Sequence, residues 1–526
     1  MMSLLWNIHL YAQNQDQSQR LNTIIDTYHQ LGLFNGNVLI AEKNKIIFEK
    51  SYGYADLAAQ RKNVPGTRFN IYSITKPVTA SVILQLVAEN KLRLDEPISR
   101  FFPALPDADS ITIEQLLTHS SGLYAYNNDF NMPVTDEAAM IDWLIKQPLA
   151  FRPGSSFQYN NTGYFLLGYI IGKVTGVSYE DAVRARVLTP LKMDHSNFDL
   201  RSAEQNEKAK GYTYISGLKG EVAPVWDYRE LYAAGGMYAT NRDLLLFHQA
   251  MRQSKLLPEA LLRQAYTAHK KNYGYGWFVD SVAGHLIISH SGGATGFRSY
   301  LIWDSTANRS IILLCNAETS DIVTIKNLLL SELNGQSYHL PAVISLSPSQ
   351  LSAYEGAYQL TPSMTLYIHK DKGQLMATPS RQGASVMLPA AKNSFRIESK
   401  DIGLLFTAPA NGSYDTLVFS QKGQTVSAPR LHAGWGITGT ATPNGWEGKD
   451  VAMMADGNRW TISSVTLKDG VIKFRYNNDW VLNYGLDQSG MLKKGANDIP
   501  VTAGTYSITL DLTDPDKVSF KIVEKN

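Results

Sequence analysis

YSITKPVTASVILQLVAENKL, residues 72–92, is the segment from which the architecture can be read outward. It sets a hydroxyl and an amine three residues apart, Ser73 and Lys76, at the head of a long apolar run with helical texture. Pro77 is tolerated in a first turn, where its missing N–H would have no partner in any case. The pattern therefore predicts a helix from Thr75 to Leu92 with Ser73 at its N-terminus. Side chains one turn apart project from one face, beside the positive end of the helix dipole. An acylating serine needs this setting. Its hydroxyl is a weak nucleophile until a base takes the proton, and a partly desolvated lysine can act as that base or lower the pKa of another.

Upstream, LNTIIDTYHQLGLF (21–34) has helical spacing, and GNVLIAEKNKIIFEKSYGYAD (36–56) reads as two strands around a Glu-Lys-Asn-Lys turn. Downstream, from about Asp95 to Tyr275, helical segments alternate with Pro/Gly loops, among them TIEQLLTHSSGL (112–123), TGYFLLGYIIGKVTG (162–176) and TNRDLLLFHQAMRQ (240–253). Strand texture returns in HLIISHSGG (285–293), FRSYLIWDS (297–305) and RSIILLCN (309–316), and a helix over 320–335 closes the segment. A hairpin at the start and three strands at the end, around a helical insertion, predict one sheet built from both ends of the segment. Past the linker GQSYHLPAVISLSPSQ (335–350) the texture becomes short alternating strands to about Arg430. A second β-rich unit follows, carrying Trp435, Trp446, Trp460 and Trp480.

The 526 residues exceed one core, and a prior of roughly 150 residues per domain gives two to four domains. Hydrophobic residues make up 44% and charged residues 18%, the balance of a folded globular chain. With a net charge of +2 and no basic run, nucleic acid is excluded as an expected partner. The single cysteine, Cys315, excludes an intramolecular disulfide and reads as a buried strand thiol. MMSLLWNIHLYAQNQDQ (1–17) resembles the end of a signal peptide without its basic region, so residues 1–20 are expected to be a leader and the protein periplasmic or secreted. No later apolar run is long enough for a transmembrane segment.

Taken singly the motifs are weak. Ser216-Gly217-Leu218-Lys219 also fits Ser-x-x-Lys, in a Gly-containing loop with no helix behind it. Tyr159-Asn160-Asn161, Tyr126-Asn127-Asn128 and Tyr476-Asn477-Asn478 all fit Tyr-x-Asn, where a buried tyrosine with one hydrogen bond is the plainer reading. Gly-x-Ser-x-Gly and His-Glu-x-x-His are absent, against α/β-hydrolase and zinc-protease chemistry.

The order of the whole set is another matter. With YSITKPVTA, TIEQLLTHSSGL, RPGSSFQYNNTGYFLLGYIIGKVTG, LYAAGGMYATNRDLLLF and HSGGATGF in succession, residues 21–335 resemble the class C β-lactamase, DD-peptidase and esterase group of serine hydrolases. The resemblance implies an α+β, β-lactamase/transpeptidase-like domain, an antiparallel sheet flanked by helices with a helical subdomain, followed by two small all-β domains. It implies that Ser73 attacks an acyl carbon, that Lys76 and Tyr159 share general-base and general-acid work, and that Asn161 orients Lys76 and contacts a substrate amide. The backbone N–H groups of Ser73 and Gly293 would form the oxyanion hole. Tyr159 is preferred over Tyr126, and His119 reads as a packing residue. No cofactor and no metal are called for.

One departure bears on the substrate. Where the family commonly carries Lys-Thr-Gly, this chain has His290-Ser291-Gly292, so a fixed ammonium for a substrate carboxylate is replaced by an imidazole that is mostly neutral at pH 7. The expected substrate is accordingly a small peptide, amide or ester, through DD-carboxypeptidase, D-aminopeptidase or esterase action, in preference to efficient β-lactam hydrolysis. Arg298 stands either as a replacement anion contact or as a surface arginine.

Residues 346–430 resemble the lipocalin-like β-domain often appended to this family, and 431–526 resemble the β-sandwich modules of outer-membrane starch-binding proteins. The latter implies a glycan partner, with Trp480, Arg475 and Asn483 as candidates and core tryptophans as the plainer reading. The competing function is a catalytically weak penicillin- or peptide-recognising protein whose C-terminal module binds glycan.

Overall fold

Lys43 and Asn44 both adopt left-handed backbone angles, φ 48° and 69°. Two such residues make the tight turn whose twist matches the strands of a hairpin. The strands are β1 (Gly36–Glu42) and β2 (Lys45–Tyr52), the hairpin expected from the sequence. The rest of their sheet comes from the far end of the segment: β3 (Phe278–Val282), β4 (His285–Ala294), β5 (Phe297–Asp304) and β6 (Arg309–Cys315). The order is β3-β4-β5-β6-β1-β2 and every pairing is antiparallel. Leu39 of β1 lies opposite Ile312 of β6, so the sheet is closed between the two ends of the segment. Edge strand β3 went unread in the sequence because its Phe-Val-Asp-Ser-Val shows neither clear alternation nor an apolar run.

The computed structural model describes residues 17–525 apart from 127–134, 226, 345, 347, 362–363, 372–373, 381, 398–399, 411–412, 432–433, 457 and 514–516. The chain forms two compact units, Met1–Leu340 and Pro341–Asn526. Residues 1–16, most of the expected leader, lie outside the described residues, and residues 17–30 are helical, so this helix begins inside the stretch 1–20. Among the described residues no helix is long and apolar enough to cross a membrane.

The helical insertion contains α1 (Thr75–Ala88) and α2 (Thr162–Thr175), which pack together in the main core. A three-residue 3-10 turn, Tyr72–Ile74, leads directly into α1, so Ser73 sits one turn ahead of the α-helix proper. The helix ends at Ala88, short of the expected Leu92. Asn90 takes a left-handed angle (φ 56°), Asn90 N–H bonds Val87 O, and Lys91 N–H reaches back to Leu86 O, a C-terminal cap that closes the helix. Against the sheet, α3 (Asn241–Arg252) packs on β1 and β6, with Asn241 Nδ2 donating to Ile312 O and His248 bonded to Ser310. Ser310 and Ile312 face one side, whereas Leu313 and its cross-strand neighbour Tyr300 face the other, where α4 (Ile322–Leu333) lies with Lys326 over the Tyr300 ring. Helices therefore cover both faces, and β1 and β6 are buried almost throughout.

Among the described residues the second unit is built of antiparallel strands, with a short α-helix at Pro348–Tyr354. A nine-stranded sheet runs from Gly356–Thr361 to Gln424–Leu431 around its own apolar cluster, which includes Tyr358, Ile368, Phe406 and Leu417. Further sheets begin at Trp435–Thr438 and enclose a separate cluster that includes Ile437, Phe474 and Ile508.

One contact fixes how β4 meets the turn bearing Ser73. A Cβ on Gly292 would stand 2.0 Å from the Ile71 carbonyl oxygen, and that same oxygen accepts a hydrogen bond from the Ser299 hydroxyl at 2.8 Å. Strand and turn are in backbone contact, so Gly292→Ala is expected to lower stability by at least about 2 kcal/mol in urea unfolding. At Gly293 the nearest obstacle is the movable Arg298 side chain at 3.2 Å, and Gly293→Ala should cost less than about 1 kcal/mol. Equal losses at the two sites would contradict this account.

Candidate active site

The turn that carries Ser73 is held under backbone strain. Tyr72 has φ 46°, a left-handed value that a bulky residue adopts only when its surroundings impose it. The surroundings do so at three points. Tyr72 Oη donates to Thr295 O at 2.8 Å, its ring meets Phe297 edge-on, and Ile71 N–H bonds Met237 O at 3.1 Å. Ser73 itself is half-buried.

Lys76 is fully buried, and its Nζ lies 3.0 Å from Ser73 Oγ, 2.8 Å from Asn161 Oδ1 and 2.9 Å from Ala234 O. Burial alone holds its pKa well below the ordinary lysine range. The hydrogen-bond inventory then assigns each contact. A neutral amine has two N–H donors and one lone pair, and the Asn161 and Ala234 oxygens can only accept. In the neutral amine these two take the N–H groups, and the lone pair is left for the Ser73 hydroxyl.

Tyr159 approaches the same hydroxyl from the loop before α2, with Lys76 Nζ 5.0 Å from its ring centroid. Burial raises its phenol pKa above the ordinary tyrosine range, and the hydrogen bond with Ser73 acts weakly in the opposite sense. The loop is sewn to 119–126: Gln158 N–H bonds His119 O at 3.0 Å, Asn160 N–H donates to His119 Nδ1 at 3.4 Å, and Thr162 Oγ1 donates to Tyr124 O at 2.8 Å. The rings of His119, Tyr273 and Phe278 pack around Tyr159 at centroid distances of 4.3, 6.1 and 6.2 Å. His119, with Nδ1 accepting and no neighbouring carboxylate acting on it, has its pKa pushed well below the usual imidazole value by burial.

His290 is buried, and both of its ring nitrogens are engaged inside the protein. Nδ1 lies 2.7 Å from Ser291 O, which can only accept, so Nδ1 carries the proton and Nε2 accepts from Tyr273 Oη at 3.0 Å. Burial and the nearby Lys76 bring its pKa down to about 3. Along β4, His290 and Gly292 are buried while Ser291 and Gly293 are exposed. Strand β3 pairs with β4 only as far as Ser289, so residues 290–294 extend beyond β3 beside the Ser73 turn. Arg298 bonds the Ala294 and Phe297 carbonyls through Nη1, at 2.6 and 2.8 Å.

The rival motifs fall elsewhere. Ser216 to Lys219 forms the turn of a hairpin between Tyr212–Ser216 and Lys219–Val222, away from any helix start. Asn127 and Asn128 lie outside the described residues. Asn477 and Asn478 occupy a strand turn with φ 57° and 52°. Cys315 is buried and its thiol pushed up to about 12. Among the described residues no group of three or more His, Cys, Asp or Glu is placed to hold a metal ion.

Two members of the cluster have no signature in the sequence. Ala234 contributes a backbone carbonyl, and Tyr273 sits in a Tyr/Gly-rich stretch without a motif. In the second unit, Trp480 is 46% exposed and its ring lies 5.6 Å from that of Trp446. Arg475 stacks on Trp480 at 4.6 Å but is buried and ion-paired to Asp450 at 2.6 Å, and Asn483 Nδ2 donates to Trp480 O. Of the three candidates for glycan contact, only Trp480 faces outward.

The chain is similar to a penicillin-binding protein of Bacillus subtilis (strain 168), 26% identical over 426 residues that cover 75% of this chain and 94% of that protein. It is 30% identical over 313 residues to a teichoic acid D-alanine hydrolase of Staphylococcus aureus (strain MRSA252), covering 58% of this chain and 76% of the relative. Among solved structures, a penicillin-binding protein from Bacillus halodurans matches with a TM-score of 0.52 and 26% identity, over 60% of this chain and 98% of that one. The Beta-lactamase family profile spans residues 21–332, the same stretch whose turn, loop and strand gather around Ser73, and the chain belongs to the Beta-lactamase family.

Proposed function

We propose that this protein is a serine hydrolase that cleaves a small amide, peptide or ester through an acyl-enzyme on Ser73. The observation that carries the reading is the place of buried Lys76, whose Nζ is held by the Asn161 and Ala234 oxygens 3.0 Å from the Ser73 hydroxyl. Ser73 Oγ attacks the acyl carbon and its proton passes to Lys76 Nζ. The oxyanion forms toward the N–H groups of Ser73 and Gly293, an arrangement in which each donor contributes about 10²–10³ in rate. Tyr159, a phenol at neutral pH, gives its proton to the departing nitrogen or oxygen and is reprotonated from Lys76. Water then attacks the ester along the reverse path, releasing the acid and free Ser73. Asn161 holds Lys76 through Oδ1 and has its amide group left for the substrate.

Relatives named for penicillin binding and for D-alanine hydrolysis support a substrate of the cell-wall kind and an extracytoplasmic address. With both nitrogens of His290 engaged and its charge suppressed, the third motif offers no ammonium for a carboxylate. Peptidase, amidase or esterase action is therefore favoured over efficient β-lactam hydrolysis. We propose further that residues 346–430 are a lipocalin-like appendage and that 431–526 are a separate module in which exposed Trp480, with half-buried Trp446 beside it, contacts glycan, a role supported by the ring geometry alone. If binding without turnover were observed, the recognition-protein reading would replace the enzyme.

Labelling the purified chain with a fluorophosphonate should place the adduct on Ser73, located by peptide mass spectrometry, with penicillin reacting far more slowly at the same residue. Ser73→Ala and Lys76→Ala should each reduce turnover of a chromogenic ester by about 10⁴-fold or more, without additivity in the double variant. Full activity in either would refute the mechanism.

Two pH effects follow. Lys76 must be neutral, so kcat/KM should fall as pH drops through its lowered pKa and hold on the alkaline side until Tyr159 ionises, above the usual tyrosine range. Stability should also decline in acid. The unfolded chain protonates His290 near the ordinary imidazole value of about 6.5, whereas the folded chain refuses that proton until about 3. Between those values the unfolded state binds more protons, so the urea midpoint should fall from pH 7 to pH 5, and less steeply in His290→Gln.

A further inference from the structure

Five buried polar atoms that find no hydrogen-bond partner among the described residues belong to one cluster of side chains: His248 Nε2, Arg252 Nε, Tyr266 Oη, Trp277 Nε1 and Trp303 Nε1. Distant parts of the first unit supply them. Helix α3 carries His248 and Arg252, β5 carries Trp303, Trp277 immediately precedes β3, and Tyr266 follows the helix Glu259–Ala265. Ring contacts close the cluster. His248 meets Trp277 and Trp303 at centroid distances of 6.1 and 5.8 Å, Tyr266 meets the same two indoles at 5.8 and 5.5 Å, and the Arg252 guanidinium lies 5.2 Å from the Trp303 ring. His248 and Trp277 are 0% and 1% exposed. A single orphaned polar atom in such a place costs stability, and five together call for a common partner.

The inventory is one of donors. Indole and guanidinium N–H groups can only donate. Arg252 Nη1 donates to Ser310 Oγ at 3.3 Å, and the Ser310 hydroxyl finds an acceptor for its own proton in His248 Nδ1 at 3.0 Å, which places the imidazole proton on Nε2. Burial and the nearby Arg252 keep that ring neutral, with its pKa down to about 3. The charge of Arg252 is also unmatched, since its side chain bonds only the neutral oxygens of Ser310, Asn44 and Asn308. A water molecule here would find only the Tyr266 oxygen for its two protons. An anion accepts from every one of these donors and gives Arg252 a counter-charge. Rings packed this closely admit a monatomic guest in preference to an organic one.

The cluster lies behind α1. A Cβ on Gly276 would stand 2.9 Å from Ala80 Cβ and 3.2 Å from Lys76 O, while Phe278, on the other side of Trp277, stacks on Tyr159. We propose that the five donors hold a small monovalent anion of the halide class, a structural ion that braces residues 276–278 against α1. The ion touches none of the reacting groups, so the site stands independently of the reaction at Ser73.

The test compares thermal unfolding in sodium chloride and in sodium gluconate at equal ionic strength, gluconate being too large to enter. Chloride at about 200 mM should raise Tm by at least about 3 °C over gluconate. Trp303→Phe keeps a ring in place and removes one N–H, and it should raise the chloride concentration that gives half the shift by at least about tenfold. Arg252→Gln should abolish the shift. In crystals grown from sodium bromide, an anomalous peak should lie within about 3.5 Å of Trp277 Nε1 and Trp303 Nε1. Density without a bromide signal, as a water would give, overturns the proposal, and so does a Tm shift of unchanged size and midpoint in both variants. Bromide in the crystal without a chloride-dependent Tm marks an ion bound at crystal concentration only and overturns it as well. Should Arg252→Gln fail to fold, Trp303→Phe and the bromide map decide.

Discussion

An amine buried without a carboxylate beside it is the constraint around which the first unit is organised. Lys76 would be stable as an ammonium only in water or against a counter-charge, and its place in the core denies it the first while its surroundings offer only neutral oxygens. Both conditions favour the neutral form, and the neutral amine carries a lone pair. To hold that amine the fold needs α1 buried on nearly every side, α2 beginning beside it so that Asn161 faces inward, and the 232–235 segment delivering a carbonyl from a distant part of the chain. Removing any one of these would open the site to water or leave an N–H without an acceptor.

The aromatic cluster extends the same logic. His119, Tyr159, Tyr273, Phe278 and His290 bring polar atoms into the interior, yet none brings a formal charge: the imidazoles are driven toward their neutral forms and the phenols keep their protons. A cationic His290 would disfavour a proton on Lys76 and would give up the lone pair with which Nε2 accepts from Tyr273 Oη. With a histidine here, where the family this segment resembles commonly has a lysine, the change reaches beyond one substrate contact, because it leaves an uncharged ring beside Lys76.

Sequence and structure agree where the signal is local. Ser73 and Lys76 are three residues apart on a strongly apolar helix, and the β1–β2 turn announces itself through Lys-Asn. The joining of the hairpin to the distant strands was legible as well, since β1 and β6 are too apolar to remain uncovered. What could not be read depends on backbone atoms or on irregular register. The Ala234 carbonyl has no side-chain signature. Strand β3 has three half-buried residues followed by two exposed ones, with no alternation. Arg475 was a candidate for sugar contact, but its ion pair with Asp450 and the ring of Trp480 cover it, a burial that strand alternation does not announce.

The pairing of β1 with β6 also governs when the molecule can fold. Gly36 lies opposite Cys315, so the centre of the sheet joins the two ends of the segment and cannot be completed until the later strand has been made. At a synthesis rate of roughly 5–20 residues per second, that interval is on the order of tens of seconds. Throughout it the apolar β1 has β2 on one edge and nothing native on the other. Such a nascent chain presents an open strand to its surroundings for far longer than local helices take to form, and high contact order slows the closure further. The architecture that shelters Lys76 so completely in the finished protein therefore makes its assembly dependent on being guarded, during synthesis, from pairing with other chains.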